Sequence, residues 1–424
     1  MSLSYNSFFI LNNGNVLTCG QNNYGQLGLG DTTNRTTPTL IPELGNIKQI
    51  CVGNQHTVIL LNDGTVKVSG YNNEGQLGLG DTNNRSVFTP IPDLDNVIQI
   101  ACGYNHTVFL LNDGTVKACG YNNNGQLGLG NTINKNTPTL IPDLENVIQV
   151  SCAHSHTIFL LKDGTVMGCG RNNYGQLAVS GTSNKTVPTL LPNLDNVKYV
   201  ILGGTYHSLF LLNDGTVKGC GYNVNGQLGL GDTSNRTTPE LIPDLNNVKQ
   251  IACGYRHTIF LLNDGTVKAT GYNANGQLGL GDTDNRTTLT LIPDLNNVKQ
   301  IACGYRHTIF LLNDGTVKVC GYNSTNQLGI VGIDSAINPI LIDNLENVSM
   351  LYSDVPMEIN YSLFTIFANK EEFVYNNQDS KIVLHNIDAV KSDAYKSIGI
   401  LLNDINNKPD IKEFIIKKYK IKII

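Results

Sequence analysis

Tryptophan is absent from this 424-residue chain, so any function that depends on an indole is excluded. Charge is scarce as well, at 15% of residues, and aromatics make up only 7%. There is no basic excess: 29 Lys and Arg face 34 Asp and Glu, for a formal net charge of -5. A mildly acidic chain is a poor generic nucleic-acid binder, because such binding is driven by neutralising phosphates. No nucleic acid is therefore expected as a partner. No apolar run reaches the ~18 residues that a membrane helix needs. Met1-Ser2-Leu3-Ser4-Tyr5-Asn6 has neither the basic start nor the apolar stretch of a signal peptide. The expectation is an intracellular protein, cytoplasmic or nuclear and not secreted, with no membrane partner. No Cys-x-x-Cys pair occurs among the 10 Cys, so disulfides and zinc are not expected. What the chain has in abundance is Gly, at 43, and Asn, at 55. With 40% hydrophobic residues it is too apolar to be disordered, and too rich in Gly and Asn to be helical.

Self-similarity dominates the rest. Gln-Leu-Gly-Leu-Gly begins at Gln26, Gln76, Gln126, Gln227 and Gln277, with degenerate copies at Gln176 and Gln327. The same step of 50 residues separates His56, His106, His156, His207, His257 and His307, apart from one extra residue near Gly203-Gly204. Seven copies fill residues 1 to about 346.

A unit read from Asn297 predicts a strand ending at Gly304, a second strand from His307, a tight turn at Asn313-Asp314-Gly315 and a third strand to Gly321. Asp-Gly supplies the positive φ such turns require. A Gly-rich loop follows. A fourth strand such as Pro38-Thr39-Leu40-Ile41-Pro42 is placed at a sheet edge by its prolines. Four strands per ~50 residues, seven times over, predict an all-β fold: a seven-bladed β-propeller of four-stranded blades. Apolar runs such as Thr-Ile-Phe-Leu-Leu indicate sheets covered on both faces, as blades stacked in a ring would be. The first hairpin, Phe8 to Gly20, lacks a preceding strand, and Asn347-Val348-Ser349-Met350-Leu351 is a spare copy that can complete it. The domain reading is a propeller over 1–355 and a degenerate repeat or extension over 356–424, acting as a cap or an extra blade. Within it, 362–375 resembles the hairpin, and 389–404 resembles a strand plus turn.

The segment Ile301-Ala-Cys-Gly-Tyr-Arg-His-Thr-Ile-Phe-Leu311 resembles the signature of the regulator of chromosome condensation family. So does Ile251 to Leu261. The resemblance recurs over about four fifths of the chain and implies a seven-bladed propeller. Function does not follow from it alone. The family includes a chromatin-bound exchange factor for the small GTPase Ran, domains of large ubiquitin ligases, a plant ultraviolet-B photoreceptor, and bacterial propellers that bind or inhibit enzymes. The photoreceptor depends on Trp, which is missing here. The exchange factor carries a basic N-terminal tail and a wedge-like insertion, and the uniform units here show neither. No ubiquitin-ligase catalytic domain fits after residue 346.

The candidate chemistry is sparse. The six repeating His read as structural residues bonding backbone between neighbouring turns, since blade-related positions are too dispersed to converge on a metal. Nine of the Cys follow the repeat and interchange with small residues, as in a tight buried slot. Gln-Leu-Gly-Leu-Gly lacks the Lys-Ser/Thr of a phosphate loop. Asp31, Asp81, Asp232 and Asp282 recur four residues before Arg35, Arg85, Arg236 and Arg286, with Asp organising the loop and Arg reaching a neighbouring blade. Nothing resembles an active site, so no enzyme activity, no catalytic residue, no metal and no cofactor are expected. The informative positions are those that vary just before each His: Asn54-Gln55, Tyr104-Asn105, His154-Ser155, Thr205-Tyr206, Tyr255-Arg256 and Tyr305-Arg306. Tyr and Arg are enriched in binding hot spots. The expected partner-binding residues are Tyr255, Arg256, Tyr305 and Arg306, with Tyr104 and Tyr206 as extensions. The expected function is a non-catalytic protein-protein interaction propeller, serving as scaffold, inhibitor or structural component, with an unidentified protein partner. The alternative is guanine-nucleotide exchange on a Ran-like small GTPase.

Overall fold

The structure, a computed structural model, describes residues 5–351 apart from 43, 46, 180 and 205, and the backbone of three strands between 365 and 384. Seven four-stranded antiparallel sheets make up the repeats, and no helix occurs among the described residues. One blade runs Val97–Cys102, His106–Leu111, Val116–Gly120 and Lys135–Leu140, in that spatial order. The first of these strands touches its counterparts in the neighbouring blades, Ile47–Val52 and Val147–Cys152, so it is the innermost. The fourth has no fully buried residue and carries Pro138, as an edge strand can. This is the predicted seven-bladed propeller.

Ring closure comes from the far end of the repeats. Strand Val348–Leu351 pairs with Asn6–Leu11, placing Leu351 opposite Phe9, Met350 opposite Ile10 and Val348 opposite Leu11. The spare strand thus supplies the innermost position of the first blade, in the order expected from sequence. The cluster around Phe8, Phe9 and Ile10 includes Ile309 and Ile342 from one side and Ile50 and Ile59 from the other.

The core lies between blades rather than at one centre. Each cluster joins side chains of neighbouring sheets, as where Val58 and Val68 meet Ile100 and Phe109. Phe9, Ile59, Phe109, Phe159, Phe210, Phe260 and Phe310 hold equivalent places in the second strands, and all are fully buried. Continuous apolar runs follow directly, because both faces of every sheet meet a neighbour.

The turns refine the expectation. Gly64 N donates to Leu61 O and Leu61 N donates to Thr65 O, while only Gly64 has positive φ (88°). That is a three-residue loop, a type I turn with a left-handed Gly, rather than a two-residue hairpin. The abundance of Asn also finds its place. In the connection from one blade to the next, Asp93 and Asn96 both adopt positive φ, as do Asp143 and Asn146, and Asp294 and Asn297. Asx side chains tolerate this region best among residues with a Cβ.

Strands Thr365–Ala368, Glu371–Asn376 and Lys381–Leu384 form a separate antiparallel sheet, within a compact unit spanning Pro356–Ile424. The first two match the hairpin resemblance read at 362–375. The strand and turn expected over 389–404 lie outside the described residues.

Candidate protein-binding face

The ends of the second strands fix one face of the ring. Strand His106–Leu111 leaves this face, the turn reverses it, and Val116–Gly120 returns to it. The loops before each His and after each third-strand Gly therefore lie together. Beneath them runs a chain of inter-blade bonds. Thr107 Oγ1 donates to Gln76 O (2.7 Å), so its lone pair accepts from His56 Nε2 (3.1 Å). The pattern repeats at His106 with Thr157, His156 with Ser208, His207 with Thr258, His257 with Thr308 and His307 with Ser7. The His residues are structural, as expected. Their partner is a hydroxyl of the next blade rather than backbone, because that hydroxyl has already spent its proton on the loop carbonyl. Burial pushes His56, His106, His207, His257 and His307 down to about 3, and His156 well below its ordinary value. All six are neutral near pH 7.

The Gln-Leu-Gly-Leu-Gly loops are joints too. Leu127 N donates to Asn122 Oδ1 (2.9 Å), and Gly130 N reaches Thr186 O of the next blade (2.9 Å). Gly125 has φ +81°, and a Cβ there would lie 2.6 Å from Thr186 Cα. No side chain fits between loop and neighbour. The Cys residues fill their slots as read: all 10 are buried. Cys119 Sγ shares the Gln76 carbonyl at 3.6 Å, and burial holds Cys19 and Cys253 up at about 12, well away from reactive thiolate. The repeating Arg residues differ from expectation. Arg35 pairs with Asp31 of its own loop (2.6 Å), and Arg85, Arg236 and Arg286 do likewise with Asp81, Asp232 and Asp282. The four-residue spacing closes the loop on itself, and among the described residues these Arg form no ion pair with a neighbouring blade.

The six expected binding residues are all half-buried on this face. Tyr255 and Tyr305 stack at 4.1 Å between centroids. Tyr104 stacks on His154 at 4.2 Å, and His154 in turn meets Tyr206 at 5.5 Å. Tyr104, Tyr206 and Tyr305 all have hydroxyls raised first by burial and then by their Tyr neighbours, among them Tyr255 acting on all three. Rings from both sides of the propeller thus converge. Backbone bonds tie their loops together: Asn54 N to Tyr104 O, Tyr104 N to His154 O, and Tyr255 N to Tyr305 O. Thr205 lies outside the described residues.

The guanidiniums lie on rings. Arg256 sits 4.8 Å from the Tyr255 centroid and 5.5 Å from that of Tyr222, and Arg306 sits 5.4 Å from that of Tyr305. Arg171 lies 4.5 Å over Tyr206 and donates from Nη1 to its hydroxyl (2.8 Å). Sequence reasoning missed Tyr5 and several of the residues that directly follow a third-strand Gly, among them Tyr71, Arg171, Tyr222 and Tyr322. Tyr5 meets Tyr305 at 4.9 Å and Tyr322 at 6.0 Å; Tyr174 meets Tyr206 and Tyr222. The Gly-Tyr-Asn start of each loop is nearly constant across the repeats, so a search for varying positions passed over it. Arg171 is the one place where that Tyr is exchanged for a cation.

Seven closed blades bearing these repeat signatures define a β-propeller of the kind built from regulator of chromosome condensation repeats. Residues 95–355 match the RCC1-like domain, and residues 13–60 and 63–110 match the RCC1 repeat. The chain belongs to this family. It is similar to the yeast RCC1 protein Prp20, solved bound to Kap60, at 24% identity and a TM-score of 0.70, over 81% of this chain and 85% of that one. A second Prp20p structure, from Saccharomyces cerevisiae, was reported with that protein's binding properties to Gsp1p and histones; it matches at 24% identity and a TM-score of 0.70, over 81% and 87% of the two chains. Human WBSCR16 matches at 24% and 0.69, over 77% of this chain and 93% of its own.

Proposed function

We propose that this protein is a non-catalytic protein-binding propeller, a scaffold, inhibitor or structural component whose partner sits on the Tyr and Arg face. The observation that supports this is the continuous network of Tyr5, Tyr104, Tyr206, Tyr255 and Tyr305 with Arg171, Arg256 and Arg306, held on loops bonded to one another. Rigid loops lose little entropy on binding. Large rings and guanidiniums supply most hot-spot energy. Prp20 is described as binding Gsp1p, and exchange on a Ran-type GTPase is the reading that likeness suggests. Against it stands the evenness of the blades. The last Gly of the third strand and the first residue of the outer strand are 15 positions apart in six blades, as from Gly20 to Arg35 and from Gly271 to Arg286, so these six loops carry no inserted wedge. Nucleotide release from a loaded Ran-type GTPase should run at the same rate with and without the purified protein. Acceleration by orders of magnitude would replace the binding-module reading with exchange.

A further inference from the structure

Two classes of Arg occupy this propeller. Arg35, Arg85, Arg236 and Arg286 are each neutralised by an Asp four residues earlier. Arg171, Arg256 and Arg306 pair with no carboxylate among the described residues. Their guanidiniums rest on Tyr rings, and the Nε atoms of Arg256 and Arg306 are buried without a hydrogen-bond partner. Contacts link them into one arc: Arg171 to Tyr206, Tyr206 to Tyr174, Tyr174 to Tyr222, Tyr222 to Arg256, Arg256 to Tyr255, Tyr255 to Tyr305, and Tyr305 to Arg306. Glu74, in the loop that follows Tyr71, accepts from Asn134 Nδ2 (2.6 Å), while Asp232, in the loop that follows Tyr222, is held by Arg236.

Resting on the binding reading above, we infer that this arc takes an acidic peptide segment of a partner protein, its carboxylates on Arg171, Arg256 and Arg306 and its side chains against the Tyr rings. Charge complementarity carries the choice of occupant. A guanidinium within reach of a ring face still has N–H groups to offer a carboxylate, and Arg is suited to both contacts at once. A second copy of the chain would set Arg against Arg, since a two-fold interface must complement itself. The chain's own last fourteen residues carry five Lys and one Glu, so they do not complement the arc. Three cations spread across several blades neutralise too few phosphates for firm nucleic-acid binding.

The test uses the full chain and fluorescence anisotropy with a short fluorescein-labelled peptide in which Glu alternates with Gly around two Phe. A matched peptide with Gln in place of Glu and a labelled oligo-dT of similar length serve as comparisons. The acidic peptide is expected to bind at least tenfold more tightly than either, and to weaken several-fold as NaCl rises from low to physiological strength. Arg256→Gln with Arg306→Gln is expected to weaken it tenfold or more. Arg35→Gln with Asp31→Asn, which removes a neutralised pair, is expected to leave it unchanged. Failure of wild type to bind the acidic peptide overturns the acidic assignment. So does equal binding of the Gln peptide, although if that binding is lost in the double Arg variant the face survives as a docking surface. Peptide binding undiminished in the double Arg variant overturns both the arc and the face. Tighter binding of oligo-dT overturns the choice of a protein partner, and sedimentation showing a dimer broken by the double Arg variant overturns it in favour of a second copy.

Discussion

The joints between blades and the face above them are made from the same repeats, yet they use polar groups in opposite ways. At a joint, each side chain reaches across one seam to a defined atom of the next blade. His106 meets Thr157, and Gln99 does more: its Nε2 donates to Val150 O (3.0 Å) while its Oε1 accepts from Val150 N (3.0 Å). Gln49, Gln149, Gln250 and Gln300 clamp the following inner strands at Ile100, Val200, Ile301 and Leu351 in the same manner. On the face, aromatic rings touch one another and guanidiniums lie on them without counter-charge. The joints are therefore built to hold the ring, and the face leaves interaction capacity over. Disturbing a joint should cost stability. Disturbing the face should cost binding.

The largest effect is expected where the ring closes. Ending the chain before residue 347 removes the strand opposite Phe9, Ile10 and Leu11 and strips the cluster to which Phe8 and Phe9 belong. Aggregation or loss of a cooperative melting transition should follow. Ending it after 355 keeps that strand, and a cooperative transition should remain. If both truncations melt alike by circular dichroism, closure does not depend on Val348–Leu351.

Acid should break the joints next. The unfolded state binds a proton on each His below pH 6.5, whereas the folded state resists until about 3. Stability is thus fully present above 6.5 and is lost as pH falls from there toward 3. One pKa unit corresponds to ~1.4 kcal/mol, so at pH 5.5 six such His withdraw roughly 8 kcal/mol, comparable to the whole stability of a typical domain. Urea midpoints measured between pH 8 and 5 should fall steeply below 6.5 and stay level above it. A flat profile would mean that the imidazoles are protonated in the ring.

Much of this could be read in the sequence, and the reasons are local. The 50-residue step, the Asp-Gly turns and the spare strand at 347–351 each carry their own signal, so blade count and closure followed. The buried fate of His and Cys followed from their regular recurrence and their exchange with small residues. The Gln clamps did not, because Gln99 between Ile98 and Ile100 looks like the polar half of an alternating strand. Its partner lies 51 residues on, across a seam. The convergence of Tyr104 with Tyr206 and Tyr255 is likewise a through-space event, set by ring curvature, to which a linear pattern is blind. The variable positions pointed to the face that gathers the Tyr and Arg network, while the near-constant Tyr71, Tyr222 and Tyr322 were passed over though their loops open on the same face.

Single substitutions at two positions sharpen the contrast at intermediate cost. Gln250→Ala leaves Ile301 N and O without their side-chain partner, which costs about 1–3 kcal/mol for a buried unsatisfied group. Two seams lack the clamp in any case, since Tyr199 and Met350 stand where the other inner strands carry Gln. The Gln clamp is therefore one of several devices per seam, and its loss should lower the denaturant midpoint without abolishing folding. His257→Ala should cost more, about 2–4 kcal/mol, because it also opens a cavity. His257→Asn should recover part of that, as Asn6 holds the equivalent place in the first blade and is buried there. An Asn variant no better than Ala would show that the imidazole ring itself fills the site.

The smallest stability effect is expected on the face, and its smallness is the point. Arg256→Gln with Arg306→Gln removes two guanidinium-ring contacts, each worth ~0.5–1 kcal/mol at a partly exposed site. It also removes two buried Nε donors that have no partner. Their desolvation is a cost in the folded state, so deleting them returns part of what the ring contacts lose. The net change should stay within about 1 kcal/mol, a shift of a few degrees or less in the melting temperature. Differential scanning calorimetry of the double variant against wild type reads this directly. A drop as large as that of His257→Ala would mean that Arg256 and Arg306 are part of the joints, and the division between a holding interior and a binding face would fail at the residues chosen to mark it.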